Sequence, residues 1–547
     1  MLKTARTIAS LGGAGLVAAL TAGTVVSTVG TDVVTYHNDV GRTGQNLTET
    51  ALTLATVNAS MFGKLGVWAT DGKVDAQPLY LSAVSIPGQG AKNMLYVATE
   101  HDSVYGFNAD NGTAVWGVSL LGTGEVPSDT LGCGQVVPEI GITSTPVIDR
   151  SAGPNGVIYV VAMSKIAGTS TYFQRLHALD VTSGAELFGG PRVIQATFSR
   201  NSTTVTFDPK KYEERAALLM ANGRLVLAFT SHCDAGPYSG WMMAYDPATL
   251  NQTAVLNVTP NGGGGAFWMA GDGPAADAAG NFYILSGNGT FDTTLDGNGF
   301  PTNGDFGNGF LKISMTGGLS VADYFQSWDT VAKSNGDTDL GSGGAIVLPD
   351  LLDGGGQVRH LAVGAGKDSH IYVVDRDSMG KWNPSTNQNY QDISGGLSGG
   401  VFATPAYFNG TVYYGAVGDA IKAFPITAAR LATTAATRSA HTFGYPGATP
   451  GISASGTTNG IVWAVENSNP AVLHAFDATN LAHELYNSTQ AAGGRDNFGA
   501  GNKFITPTIV NGHVYVGTGS GVAAFGNITT IPISPTNVHL VRGDGLQ

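Results

Sequence analysis

The chain has 547 residues, of which 78 are Gly, 42% are hydrophobic and only 12% are charged, with 40 acidic against 27 basic side chains. So few charges exclude a coiled coil or a charged disordered chain, and a net charge of −13 supplies no general electrostatic footprint for nucleic acid. Glycine at about twice its ordinary frequency, with abundant Thr, Asn and Val and few long helical patterns, predicts an all-β protein of short strands and tight turns.

In chain order, residues 1–30 come first: Lys3 and Arg6 precede an apolar stretch that ends in small residues, the pattern of an export signal. The run is diluted with Gly and Thr and is short for a membrane span, which makes an uncleaved anchor the weaker alternative. A secreted or periplasmic protein without an integral membrane span in its mature chain is expected. Two cysteines follow, Cys133 and Cys233. In an oxidising compartment they are expected to form a disulfide, whose loop of about a hundred residues stabilises by about 4 kcal/mol in the chain-entropy model; the alternative is two buried thiols. There is no zinc-type cysteine cluster and no Cys-x-x-Cys-His haem attachment, so no haem is expected and any electron transfer uses another carrier.

From residue 94 onward one unit recurs: a short strand often opening with x-Pro, a strand ending in Gly, a strand ending near Asp, then a turn. Its cores lie at 94–116, 145–188, 224–246, 281–314, 359–377, 402–424, 460–477 and 505–525, which makes eight. Each alternates apolar and polar residues with period two, and Asn-Gly or Asp-Gly pairs stand where hairpins need positive φ. A four-stranded blade cannot bury both faces alone, and packing blades in a ring leaves only short, protected edges. The predicted fold is therefore an eight-bladed β-propeller of four-stranded antiparallel blades over residues 31–526, with a C-terminal tail over 527–547. The last unit lacks an outermost strand, while 62–72 reads as an outer strand with no blade before it, so the two termini are expected to share one blade. A linear solenoid would instead want polar capping repeats.

The turns FNADNGTAVW (107–116) and ALDVTSGAELF (178–188) resemble the tryptophan-docking repeat of pyrroloquinoline quinone (PQQ) type β-propellers, the quinoprotein alcohol dehydrogenase-like superfamily. The likeness covers nearly all of the chain after residue 30. Segments 32–46 and 231–241 are similar to those of exported PQQ-like repeat proteins, a likeness that brings no activity with it. Three further stretches resemble the dehydrogenases in particular. Residues 262–292 are similar to their glycine-rich loop, which implies Trp268 as the floor under the quinone and Asn288 as a calcium ligand. Residues 335–352 resemble the segment of the catalytic aspartate, with Asp339 the better match and Asp337 its neighbour. Residues 364–381 resemble the segment whose basic residue touches the quinone oxygens, which implies Lys367. Asp234 stands one position out of register with the family's calcium-binding Glu. The adjacent cysteines that often lie over the quinone have no counterpart, and 451–466 does not resemble the late Asn-Trp segment that contacts the cofactor.

These residue types suit the implied chemistry. A carboxylate in a closed site removes a hydroxyl proton while an ortho-quinone takes the hydride, Ca²⁺ takes hard oxygen ligands, and an indole face stacks on a planar ring. Taken singly, each has an ordinary structural use: Asn288 in an Asn-Gly turn, Trp268 in inter-blade core, Asp337 and Asp339 in Asx-turns, Lys367 in solvent. The expectation is a PQQ- and Ca²⁺-dependent dehydrogenase of small alcohols or sugars. The alternative is a non-catalytic exported propeller that binds an extracellular protein or a polysaccharide.

Overall fold

The computed structural model describes residues 31–528 and the two-residue strand Val541–Arg542. The predicted signal segment 1–30 lies outside the described residues, as does most of the predicted tail. Eight sheets of antiparallel core strands, in chain order, form an eight-bladed propeller. The first blade is Leu79–Ile86, Gly90–Ala98, Ser103–Asn108 and Ala114–Ser119, each paired with the next. The eighth is Thr508–Val510, His513–Thr518 and Gly521–Asn527, completed by Phe62–Ala69 as its outermost strand. The shared closing blade is as the split repeat predicts. Two short strands add in parallel to blades: Val541–Arg542 to the outer edge of blade 1, and Gln45–Asn46 to the innermost strand of blade 7. Among the described residues no helix is long and apolar enough to cross a membrane.

The repeat's tryptophan has a mechanical explanation. Trp116, on the outermost strand of blade 1, donates its indole N–H to the Val181 carbonyl of blade 2 at 3.0 Å. Its ring lies against Gly184, whose φ is +72° and whose missing Cβ would stand 2.7 Å from the indole. Trp68 of blade 8 meets Gly112 of blade 1 in the same way. Each such Trp pins its blade to the turn of the next, and only Gly accepts both the left-handed backbone and the contact. Gly184→Ala is expected to cost about 1–3 kcal/mol from strain and overpacking. A melting temperature equal to that of the parent chain would contradict this docking.

The axis of the ring is filled by the chain itself. Val33 exchanges two backbone hydrogen bonds with Tyr80 of blade 1, and the carbonyls of Val34, Val40, Gly41, Thr43 and Gly44 accept from Ile148, Ala276, Val347, Tyr407 and Ile452 of blades 2, 4, 5, 6 and 7. Arg42 donates to Leu218 O at the start of blade 3, and the Asn46 amide donates to Ile509 O of blade 8. Segment 32–49 is therefore a plug that bonds to the innermost part of every blade. Its tight path uses left-handed backbone at His37, Asn38, Arg42 and Gly44. Both His37 ring nitrogens bond to carbonyls, of Arg42 and Pro450.

Candidate functional site

The expected loops meet at one mouth of the ring. Trp268 lies on the connection from blade 3 to blade 4, and Asn288 follows the strand Phe282–Leu285 of blade 4. Asp337 and Asp339 lie between the short helix Thr330–Asn335 and the innermost strand of blade 5, Ala345–Val347. Lys367 joins Leu361–Ala365 to Ile371–Asp375 within blade 5, and Asp234 follows Thr230–Ser231 in blade 3. All six line one cavity of about 240 Å³, together with Cys133, Cys233, Tyr238, Phe402 and Tyr445. A larger groove of about 730 Å³ runs between the outer parts of blades 1 and 2, away from these loops. Its polar side chains already have partners, Arg175 in Glu125 and His177 in Glu186.

A charge cluster occupies the cavity wall. Lys367 Nζ lies 2.8 Å from Asp339 Oδ1 and also pairs with Asp337, while the Asn288 amide donates to Asp337 Oδ1 at 2.6 Å. The Lys367 backbone N–H donates to the Asp339 carbonyl at 2.9 Å, which joins the two loops. Burial dominates at Asp339 and pushes its carboxyl above the usual range, with the Lys367 charge opposing. At the more exposed Asp337 burial also disfavours the charge, but hydrogen bonds from Lys367 and Asn288 outweigh it and hold the carboxyl low. Burial works to discharge Lys367, and the two aspartates overcome it. Asp234 accepts from Ser231 and from Tyr238, whose hydroxyl also approaches the Asn288 carbonyl at 3.5 Å.

Two oxygens stand out because they are buried and accept no hydrogen bond, Asn288 Oδ1 and Asp339 Oδ1. The contact of Asp339 Oδ1 with Lys367 is an ion pair without hydrogen-bond alignment. Unpartnered amide and carboxylate oxygens are the hard donors that a divalent cation such as Ca²⁺ takes. Trp268 is half-buried, meets Phe504 edge to face at 5.2 Å, and has the Arg215 guanidinium 5.9 Å over its ring. Backbone in the left-handed region recurs around the cavity, at Cys233, Asp234, Met269, Ala270 and Asp337. Strained conformations of this kind persist where the surrounding structure fixes a site.

The predicted disulfide Cys133–Cys233 forms, with Cα atoms 5.3 Å apart, and it contributes to the cavity wall, a position its spacing in sequence did not reveal. Tyr238, Phe402, Tyr445 and Arg215 were also not foreseen; aromatic residues beside Gly and Pro, in GPYSGW and FGYPG, are the available signal. Other loop residues of the same face do not line the cavity: His101 pairs with Glu139, and Lys165 with Asp129.

No family model matches the sequence, and no curated protein matches it. Solved structures do. A quinohemoprotein alcohol dehydrogenase from Comamonas testosteroni superposes with a TM-score of 0.58 at 16% identity, over 94% of this chain and 83% of its own. Quinohemoprotein alcohol dehydrogenase ADHIIG from Pseudomonas putida superposes with a TM-score of 0.60 at 14% identity, over 93% and 82%. The chain has the propeller fold of the quinoprotein alcohol dehydrogenases. A europium-containing methanol dehydrogenase shares that propeller fold too, with a TM-score of 0.56 at 13% identity over 91% of this chain and 98% of its own.

The disulfide gives a direct test of the wall. The double variant Cys133→Ser, Cys233→Ser is expected to lose about 4 kcal/mol, read as a lower denaturation midpoint, because a hundred-residue loop is released in the unfolded chain. Unchanged stability would mean that the bridge constrains nothing.

Proposed function

We propose that the cavity binds an ortho-quinone of the PQQ type with a divalent cation such as Ca²⁺, and that the protein oxidises a small alcohol or sugar outside the cytoplasm. The observation that carries this reading is the meeting of Trp268, Asn288, Asp339 and Lys367, from separate stretches of sequence, around one cavity. The names of the structural neighbours, alcohol and methanol dehydrogenases, support the same chemistry. When bound, the quinone supplies the hydride acceptor. Asp339 takes the hydroxyl proton, and its burial keeps the carboxylate basic enough to do so. Lys367 offsets negative charge as it develops on neighbouring oxygens, and Trp268 offers a flat face.

Asn288 Oδ1 and Asp339 Oδ1, with Asp234 nearby, would hold the cation. Ca²⁺ takes six to eight oxygens, so most of its shell would come from quinone, substrate and water. Three carboxyl side chains, Asp234, Asp337 and Asp339, stand against the single Lys367 in the cavity wall, so an anionic quinone is expected to enter only together with a cation. The purified chain should therefore take up PQQ only with Ca²⁺ or a similar ion, quench its tryptophan emission less in Trp268→Ala, and reduce a dye with an alcohol or sugar panel. Absence of quinone uptake under these conditions would remove the reading. The competing reading, a propeller that binds a glycan or protein without catalysis, draws on the pairing of Asp337 and Asp339 with Lys367. Saturable glycan binding with no quinone uptake would put it first.

A further inference from the structure

Among the described residues one cluster of His, Cys, Asp or Glu side chains has the spacing of a metal site, and it does not line the cavity. His441 lies on the outermost strand of blade 6, Thr437–Phe443. Glu466 ends the second strand of blade 7, Thr458–Glu466, and His474 lies on the third, Val472–Asp477. His474 is opposite Ala464, so Glu466, two residues on, is its diagonal neighbour on the same face of the sheet. The two imidazoles stack with centroids 4.8 Å apart across the junction of the blades.

The three donor atoms converge. Glu466 Oε2 is 3.0 Å from His441 Nε2 and 3.5 Å from His474 Nε2, and all three lie within 4.8 Å of one another. Donors bound to one tetrahedral ion at about 2.0–2.2 Å stand roughly 3.3–3.6 Å apart, so the cluster needs little adjustment to share a cation. Both Nε2 atoms are buried, and both face Glu466 Oε2. His474, only 4% exposed at its side chain, donates Nδ1–H to Glu484 Oε1 at 2.7 Å, and the Asn487 amide holds the other Glu484 oxygen at 3.0 Å. A carboxylate on Nδ1 fixes the ring orientation and turns Nε2 toward Glu466, the arrangement that accompanies imidazole ligands. His441 is 38% exposed at its side chain, so an ion can enter from solvent and keep an open position.

We infer that His441, Glu466 and His474 bind one first-row divalent transition-metal ion, with Zn²⁺ the fitting case, which ties the outer strand of blade 6 to blade 7. Two imidazoles and one carboxylate with an open fourth position are a donor set for Zn²⁺ or Cu²⁺ rather than for Ca²⁺. The test is titration of the metal-stripped chain with Zn²⁺, without quinone or Ca²⁺, so its outcome is independent of what the axial cavity binds. One ion per chain is expected, with a rise in melting temperature on loading. Binding should weaken at least tenfold in His441→Ala and in Glu466→Gln, each of which leaves the neighbouring blade core unaltered, and more in the double variant with His474→Ala. His101→Ala, at another His–Glu contact, should bind as the parent does. No uptake by the parent chain at 100-fold excess of Zn²⁺, or equal uptake by His441→Ala and Glu466→Gln, would overturn the assignment.

Discussion

Replacing Asp339 by Asn is expected to lower turnover of the quinone-loaded protein by about two to four orders of magnitude, the usual worth of a positioned base, while leaving the fold intact. Stability is spared because Lys367 keeps Asp337 as a partner, so no buried cation is stranded. The effect should fall on kcat rather than on KM, because the proton moves only during reaction. Burial raises the Asp339 carboxyl, and a base acts only when deprotonated. The parent rate should therefore climb with pH through an ionisation above the ordinary carboxylate value of about 3.9, and this limb should vanish in Asp339→Asn. Asp337→Asn should have a much smaller effect, since that carboxylate is exposed and held ionised by Lys367 and Asn288. Equal rates for Asp339→Asn and the parent, at matched quinone loading, would place the base elsewhere.

The largest loss of stability is expected from Arg42→Leu. The guanidinium is fully buried and donates to Pro274 O at 3.1 Å, Thr35 Oγ1 at 2.6 Å, Tyr36 O at 2.9 Å and Leu218 O at 3.0 Å. Leucine strands these four acceptors without water, at about 1–3 kcal/mol each, so a total of about 4–12 kcal/mol is expected. Arg42→Lys should rescue little, because an ammonium cannot address this planar fan of acceptors. Denaturant titration decides it. A midpoint within error of the parent would show that the plug does not support the ring.

The ring was legible because its signals are local and repeated: period-two strands, Asn-Gly turns, and a Trp followed a blade later by the Gly it docks against, as Trp116 and Gly184 do. Trp268, Asn288, Asp339 and Lys367 were legible through the resemblance of their segments to those of the dehydrogenases, and the four line one cavity. The plug was not. Its contacts are isolated backbone groups, one guanidinium and one amide reaching partners from tens to hundreds of residues away, and nothing periodic in DVVTYHNDVGRTGQN marks them. The pairing of His441 with His474 was hidden for a related reason: the two lie on different blades, and only the packing of those blades places their nitrogens around Glu466. The cysteines announced their bond but not that it walls the cavity.

Residues 32–49 leave the ribosome ahead of every strand they bond to, and the last of those partners, Ile509, lies 463 positions beyond Asn46. The keystone is thus made first and seated last. Contacts of such sequence separation are slow to close, so nascent chains lacking the final blade cannot reach the native hub however well their earlier blades have formed. Truncations near the carboxyl terminus should accordingly behave as incomplete folders rather than as shorter propellers.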